Sequence, residues 1–177
     1  KGSALASYNF GLCFQYGNGI EKDYSFAVIY FKEAIERNYT KSYYNIGYCY
    51  YHGGHGLKQD RIEAIHWLEK AVSHKNGNAA QLLGNSYETP PVPFAIPDYY
   101  KALCFYKLAV KLGVDAADDI ARCEKKINKL FLNNPSVDTN KFSALLNKAT
   151  TSADIDSAIQ WLLALPSVPD KKPTKPR

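Results

Sequence analysis

A glycine that returns at a fixed interval constrains this chain more than any other feature. The stretch Ala6-Ser7-Tyr8-Asn9-Phe10-Gly11 is echoed by Ser42-Tyr43-Tyr44-Asn45-Ile46-Gly47, and again by Ala79-Ala80-Gln81-Leu82-Leu83-Gly84. The glycines stand 36 and 37 residues apart. An interval of this length marks an array of supersecondary units, so the repeat has to be read before any site.

Around each Gly the same offsets recur. A small residue lies five before it (Ala6, Ser42, Ala79), an apolar residue one before (Phe10, Ile46, Leu83), and an aromatic three after (Phe14, Tyr50, Tyr87). Offsets of −5, −1, 0 and +3 fall on one face of a helix and predict that this face is packed. Gly inside a helix costs about 0.5–1 kcal/mol relative to Ala. Its return at one position therefore points to a close approach by a neighbouring helix.

A glycine-rich turn follows, Gly17-Asn18-Gly19 in the first unit and His52-Gly53-Gly54-His55-Gly56 in the second. Next stand Asp23, Asp60 and Asp98, each four residues before an Ala (Ala27, Ala64, Ala102). Asp is a strong N-cap because its carboxylate accepts the free amide hydrogens of a first helical turn. Each Asp is thus expected to start a second helix. Those helices share Ala, an aromatic three later (Tyr30, Trp67, Phe105), and a second Ala seven later (Ala34, Ala71, Ala109). Small and large residues alternating on one stripe suit interdigitating helices.

This frame resembles the Sel1-like repeat family, relatives of the tetratricopeptide repeats. Gly11, Phe14, Gly17, Gly19, Ile20, Asp23, Ala27, Tyr30 and Ala34 carry the resemblance in the first unit. Gly47, Tyr50, Gly53, Gly56, Leu57, Asp60, Ala64, Trp67, Lys70 and Ala71 carry it in the second. Ala79, Leu83, Gly84, Tyr87, Asp98, Ala102 and Ala109 carry it in the third. The resemblance implies an all-α fold, an α/α superhelical solenoid of Sel1-like repeats with a helical C-terminal cap. Three repeats are expected within residues 1–117 (about 4–38, 40–76 and 78–113), capping helices over 118–165, and a flexible basic, Pro-rich tail over 166–177.

Departures from the frame are informative. Four prolines within residues 89–97 replace the third glycine turn and favour an extended path, with Val92, Phe94 and Ile96 covering a core edge or offering a docking element. Ala117 opens a fourth unit, but Arg122 stands where the Gly belongs, and the repeat is expected to end there. Ile120, Cys123, Ile127, Leu130 and Phe131 form an apolar stripe. Beside it runs a basic stripe of Arg122, Lys125, Lys126 and Lys129, read as a solvated face, or else as a site for an acidic partner. Helices are expected over Lys141–Lys148 and from a capping box at Thr151 and Asp154 through Leu165, burying Ile155, Ile159, Leu162 and Leu163. Lys1-Gly2 reads as the close of a preceding repeat, so a longer array or a processed N-terminus is expected.

The net charge of +5 is unevenly placed, since Lys171, Lys172, Lys175 and Arg177 crowd the last eight residues. A near-neutral body with a short basic tail argues against nucleic acid, which usually demands a basic face. Apolar runs stay well short of the ~18–20 residues a membrane span needs. Cys13 and Cys49 occupy equivalent places in successive units. Stacked helices lie ~8–10 Å apart, whereas a disulfide needs Cα atoms within roughly 7 Å. A reducing, cytoplasmic compartment is therefore favoured.

Chemistry has little support. Cys49, His52 and His55 are spaced by three, but a fourth ligand is not evident, and no metal or other cofactor is expected. The resemblance brings to mind β-lactam binding by some family members, yet the chain has no Ser-x-x-Lys. A P-loop and a G-x-G-x-x-G are also absent. His66 beside Trp67 reads as structural, and no catalytic residue is expected.

The face opposite the packed offsets is more promising. It comprises Tyr8, Asn9, Leu12 and Gln15 in the first unit, Tyr44, Asn45, Tyr48 and Tyr51 in the second, and Gln81, Leu82, Asn85 and Glu88 in the third. In tetratricopeptide-like stacks the first helices line the concave side, and the resemblance implies the same here. Tyr offers large area, few rotors and a polar tip, and Asn bonds a peptide backbone with both donor and acceptor. The expected function is a non-catalytic scaffold or adaptor that binds a protein or peptide segment through Tyr8, Asn9, Leu12, Gln15, Tyr44, Asn45, Tyr48, Tyr51, Gln81 and Asn85. The resemblance extends this to bacterial virulence or regulation. Two alternatives stand beside it: the regulatory part of a larger enzyme, and a nucleic-acid binder using the basic stripe and tail.

Overall fold

The computed structural model describes residues 3–90, 97–130, 139–148 and 152–164. Among them the regular structure is helical: α1 (Ala4–Tyr16), α2 (Tyr24–Glu36), α3 (Ser42–His52), α4 (Arg61–Ser73), α5 (Gly77–Glu88), α6 (Tyr99–Lys111), α7 (Ala117–Leu130), α8 (Thr139–Lys148) and α9 (Ser152–Leu163). The chain divides into two compact units, residues 1–83 and 84–177, with the boundary inside α5.

The second helix of each repeat starts where the Asp residues placed it. Asp23 accepts from the amides of Ser25 and Phe26 at 2.7 and 3.1 Å. Asp60 accepts from Ile62 and Glu63 at 3.1 and 2.9 Å, and Asp98 from Lys101 at 2.9 Å. The backbone adds a contact the spacing did not announce. The N–H of each Asp donates to the carbonyl of the aromatic at +3: Asp23 to Phe14, Asp60 to Tyr50 and Asp98 to Tyr87, at 2.9, 3.0 and 2.9 Å. The connection between the two helices thus varies in length and composition while its closing hydrogen bond stays fixed. The two Ala positions of the second helices, from Ala27 to Ala109, are buried in all three repeats.

In the first unit α1 packs on α2, α2 on α3, and α3 on α4. The repeat glycines set the approach within each pair. A Cβ on Gly11 would lie 2.5 Å from the Phe31 ring, and one on Gly47 would lie 2.7 Å from Leu68 Cγ. Phe31 and Leu68 both stand four residues after the first Ala of the second helix, and both are fully buried. A core of Tyr24, Ala27, Val28, Phe31, Ile46 and Cys49 joins α2 to α3.

The expected packed face needs one correction. Ile46 and Leu83 are buried, but Phe10 in the same slot is 57% exposed, and Ala6 is exposed too. The covering of Ile46 comes from α2 of the preceding repeat, and no described element precedes α1. Phe10 rests instead on Tyr30 at 5.6 Å between ring centroids.

In the second unit α6 packs against α7, α8 and α9, and α8 against α9. Gly84 repeats the glycine contact, its missing Cβ lying against the ring of Tyr106. Tyr87 and Phe105, the two aromatics of the repeat frame, stack at 5.4 Å and 3°. Ile159 is buried and Leu163 half-buried, as the stripe of the last helix predicts, and Ile120 and Ile127 on α7 are half-buried. The proline segment over 91–96, Phe131, Thr151 and the tail from residue 165 lie outside the described residues, as do the side chains of Leu130, Ile155 and Leu162.

Candidate functional site

The face of α1 and α3 that turns away from their partner helices carries no helix-breaking residue, and it is dense in rings. Along α3 the residues Tyr44, Tyr48 and His52 follow at steps of four, which stack side chains in one ridge. Ring centroids lie 6.2 Å apart for Tyr44 and Tyr48, and 4.2 Å apart for Tyr48 and His52. Tyr51 closes on His52 at 5.1 Å. The Arg61 guanidinium covers the Tyr51 ring at 4.6 Å and donates to its hydroxyl at 3.2 Å. On α1, Tyr8 meets Tyr39 at 4.6 Å and Phe31 at 5.7 Å. Tyr8, Leu12 and Tyr48 lean on the core and remain half-exposed.

Tyr16 joins this face although the offsets did not select it. It is 60% exposed. Burial raises the phenols of Tyr8, Tyr44 and Tyr48, and the Tyr16 hydroxyl acts on all three as a further cause. Tyr16 and His52 occupy the same slot, five after the Gly. The signal that finds them is the step of four from Leu12 and Tyr48. The His52 imidazole is held below its usual range, first because packed rings remove water from it, then by Lys22 and Arg61. It is the neutral base near pH 7.

Two residues expected on this face are not there. Gln15 is 2% exposed and Asn45 is 4% exposed, and the Asn45 amide donates to Gln15 Oε1 at 2.8 Å. The helical offsets turned them outward, but a neighbouring repeat covers that angle. A buried amide left unpaired costs about 1–3 kcal/mol, so two amides facing each other across the repeat junction satisfy one another. Asn9 is exposed, and Gln81 on α5 is half-buried. Asn85, in the second unit, is half-buried, with its side-chain amide 2.8 Å from the Tyr106 hydroxyl.

The basic stripe of α7 also reads differently in three dimensions. Glu88, with a side chain 5% exposed, accepts from Arg122 Nε and Nη2 at 2.9 and 2.8 Å, from Lys126 at 2.8 Å and from the Tyr106 hydroxyl at 2.7 Å. Arg122 also pairs with Asp119 at 2.7 Å. The Arg122 hydrogen bonds, aided by Lys126 and Tyr106, hold the Glu88 carboxyl down at about 2 against the cost of its burial. Arg122 and Lys126 are therefore engaged with Glu88, although their side chains stay partly exposed. Arg122 replaces the repeat Gly, so the slot that admits a close second helix elsewhere carries an ion-pair anchor on α7.

Nucleophilic and metal chemistry find no geometry among the described residues. Cys13, Cys49, Cys104 and Cys123 are free thiols. Burial pushes the Cys49 and Cys123 thiols up to about 12, so neither is a ready thiolate. No cluster of three His, Cys, Asp or Glu side chains that could hold a metal ion occurs among the described residues. Cys49 sits in the core, and His55 lies against Tyr24. Among the described residues no helix is long and apolar enough to cross a membrane.

Paired helices repeating every 36 to 37 residues, with a glycine at each crossing and an Asp cap on each second helix, define a helical repeat protein. The family model of the Sel1 repeat matches residues 4–39, 40–76 and 78–114, and the chain belongs to that family. Its fold class is the all-α solenoid, and Sel1 repeat proteins act as protein-interaction scaffolds that are generally not catalytic. Among curated proteins it is similar to chitin synthase regulatory factor 3 of Schizosaccharomyces pombe, at 30% identity over 93 residues, which are 51% of this chain and 10% of that protein. Protein SHC1 of Saccharomyces cerevisiae is 29% identical over 112 residues, 60% of this chain and 22% of that one. The ERAD-associated E3 ubiquitin-protein ligase component HRD3A of Arabidopsis thaliana is 33% identical over 67 residues, 38% of this chain and 10% of that protein. The chain thus spans between 10% and 22% of the length of these relatives. Two solved structures share the fold. One is a Sel1 repeat protein from Oxalobacter formigenes, with a TM-score of 0.54, 22% identity, and coverage of 81% of this chain and 53% of that one. The other is a protective antigen of uropathogenic Escherichia coli, with a TM-score of 0.56, 24% identity, and coverage of 80% and 28%.

Proposed function

We propose that this chain is a non-catalytic scaffold that holds a segment of a partner protein against the first-helix face of α1 and α3. The observation that carries the reading is the cluster of accessible rings on that face: Tyr16, Tyr44, Tyr48, Tyr51 and His52 in the first unit. Exposed aromatic clusters are unfavourable in water and mark contact surfaces. Rings already packed on one another lose little rotamer entropy on binding, which is how Tyr anchors an interface. Asn9 stands exposed beside them as a backbone-directed donor and acceptor. In the second unit, residues 118–165 act as the cap of the array, anchored through Arg122 and Lys126 on Glu88.

The test is affinity capture with quantitative mass spectrometry, comparing the chain with its Tyr44→Ala/Tyr48→Ala variant. Loss of captured proteins with an unchanged helical circular dichroism spectrum is the expected outcome. Unchanged capture would remove the face from the account. A regulatory role toward another protein is the second reading. The names of two relatives favour it, a chitin synthase regulatory factor and a ubiquitin-ligase component.

A further inference from the structure

Charge is segregated between the helices of this array. No Asp or Glu occurs in residues 1–20, 37–59 or 74–87. α1 and α3 therefore carry no carboxylate at all, and α5 carries only Glu88, at its end and bound to two cations. Apart from Glu21, which stands in the loop beside Lys22, the acidic groups of the first unit lie on the second helices and their caps. Asp23 and Asp60 hold helix amides, Glu33 pairs with Arg37 at 2.8 Å, and Glu63 accepts the Trp67 indole N–H at 2.7 Å.

Two cations border the aromatic ridge instead. Lys22 Nζ lies 4.9 Å from the centroid of the Tyr24 ring, which belongs to the core that Tyr48 packs against. Arg61 covers Tyr51. Both cations depress the His52 imidazole, and Lys22 also acts on the Tyr48 phenol, so their fields reach the ridge itself. No carboxylate is among the groups that act on Tyr44, Tyr48 or His52, whereas Asp60 and Glu63 do act on Tyr50, which points the other way. An incoming carboxylate is drawn toward these two cations.

We propose that the face of Tyr44, Tyr48, Tyr51 and His52, bordered by Lys22 and Arg61, takes an acidic peptide segment of the partner. Its carboxylates lie toward the two cations and its apolar groups and backbone lie on the rings. The inference rests on the scaffold reading above and names the partner's chemistry.

Fluorescence anisotropy tests it with a short fluorescein-labelled peptide of alternating Glu and Leu, its Gln-Leu and Lys-Leu counterparts, and a labelled oligothymidylate. The Glu peptide is expected to bind at least about tenfold more tightly than the Gln peptide. Its affinity should fall as salt rises from about 0.05 to 0.3 M, because exposed charges are screened over that range. Lys22→Glu should lower its affinity about tenfold, and the milder Lys22→Gln should lower it less, both with unchanged circular dichroism. Equal affinity for the Glu and Gln peptides, or no effect of Lys22→Glu, overturns the acidic preference. If those equal affinities are lost in Tyr48→Ala, the aromatic face stands without its charge preference. Tighter binding of the oligothymidylate overturns the proposal in favour of a polyanion site, and no binding of any probe overturns both readings.

Discussion

Replacing Glu88 by Gln removes one charge from the centre of the second unit and keeps the side chain's shape. The carboxylate accepts four donors from three residues, Tyr106, Arg122 and Lys126, on two different helices. A Gln side chain offers one acceptor oxygen, and its amide N–H groups would face cationic donors. The magnitude follows from the carboxyl's own titration. Its pKa falls from an ordinary 4.5 to about 2, and at ~1.4 kcal/mol per pH unit this corresponds to about 3 kcal/mol. Arg122 and Lys126 have side chains 44% and 40% exposed, so both rehydrate when released. A net loss of about 2 kcal/mol is the expected result, below the 3–5 kcal/mol typical of breaking a fully buried pair. The sign with pH is fixed as well. A carboxyl whose folded pKa is depressed contributes its full stability above the unfolded value near 4.5 and loses it as pH falls toward 2. Urea unfolding at a series of pH values reads this directly. Trp161 on α9 reports on the second unit once Trp67 is replaced by Phe. The wild-type and Glu88→Gln curves should differ by about 2 kcal/mol at pH 7 and converge between pH 4.5 and 2. A gap under about 0.5 kcal/mol at pH 7, or one that stays constant on acidification, would refute the ion-pair anchor.

Other perturbations test the repeat itself. Gly47→Ala adds a Cβ 2.7 Å from Leu68 Cγ and 3.3 Å from the Ala64 carbonyl, so overpacking should outweigh the gain in helix propensity, with a net loss of about 1–2 kcal/mol by urea unfolding. Asn45→Ala leaves the buried Gln15 oxygen without its donor and should cost about 1–3 kcal/mol, while Gln15→Leu with Asn45→Leu should restore most of that in a double-mutant cycle. Asp60→Ala removes two cap bonds from α4 and should cost about 1 kcal/mol, with early loss of amide protection at Ile62 and Glu63 in hydrogen exchange.

The parts legible in the sequence were those set by local rules. Asp caps, the Gly at the helix crossing and the buried Ala pair each depend on one helix or one helix pair, and each recurs three times in register. The candidate face was legible only in part, because a helical offset gives an angle and not a neighbour. Gln15 and Asn45 have outward angles and meet each other across the junction of successive repeats. Arg122 and Lys126 form a basic stripe on paper, yet their partner lies 34 and 38 residues upstream. Phe10 fails in the opposite sense: its angle is that of a core residue, but no described element lies before α1 to cover it as α2 covers Ile46. Tyr16 and His52 were missed because they sit one helical step beyond the last offset considered, where a ridge continues past its helix's central turn.

The most direct measurement of the scaffold reading places a photo-crosslinker on each face. Tyr16→p-benzoylphenylalanine and Tyr48→p-benzoylphenylalanine put the probe on the aromatic face, and Ile62→p-benzoylphenylalanine puts it on α4 at a position 65% exposed. After irradiation with a captured partner, covalent adducts are expected from positions 16 and 48 and not from 62. Adducts from position 62 with none from 16 and 48 would show that the partner binds elsewhere, and would contradict the assignment of this face.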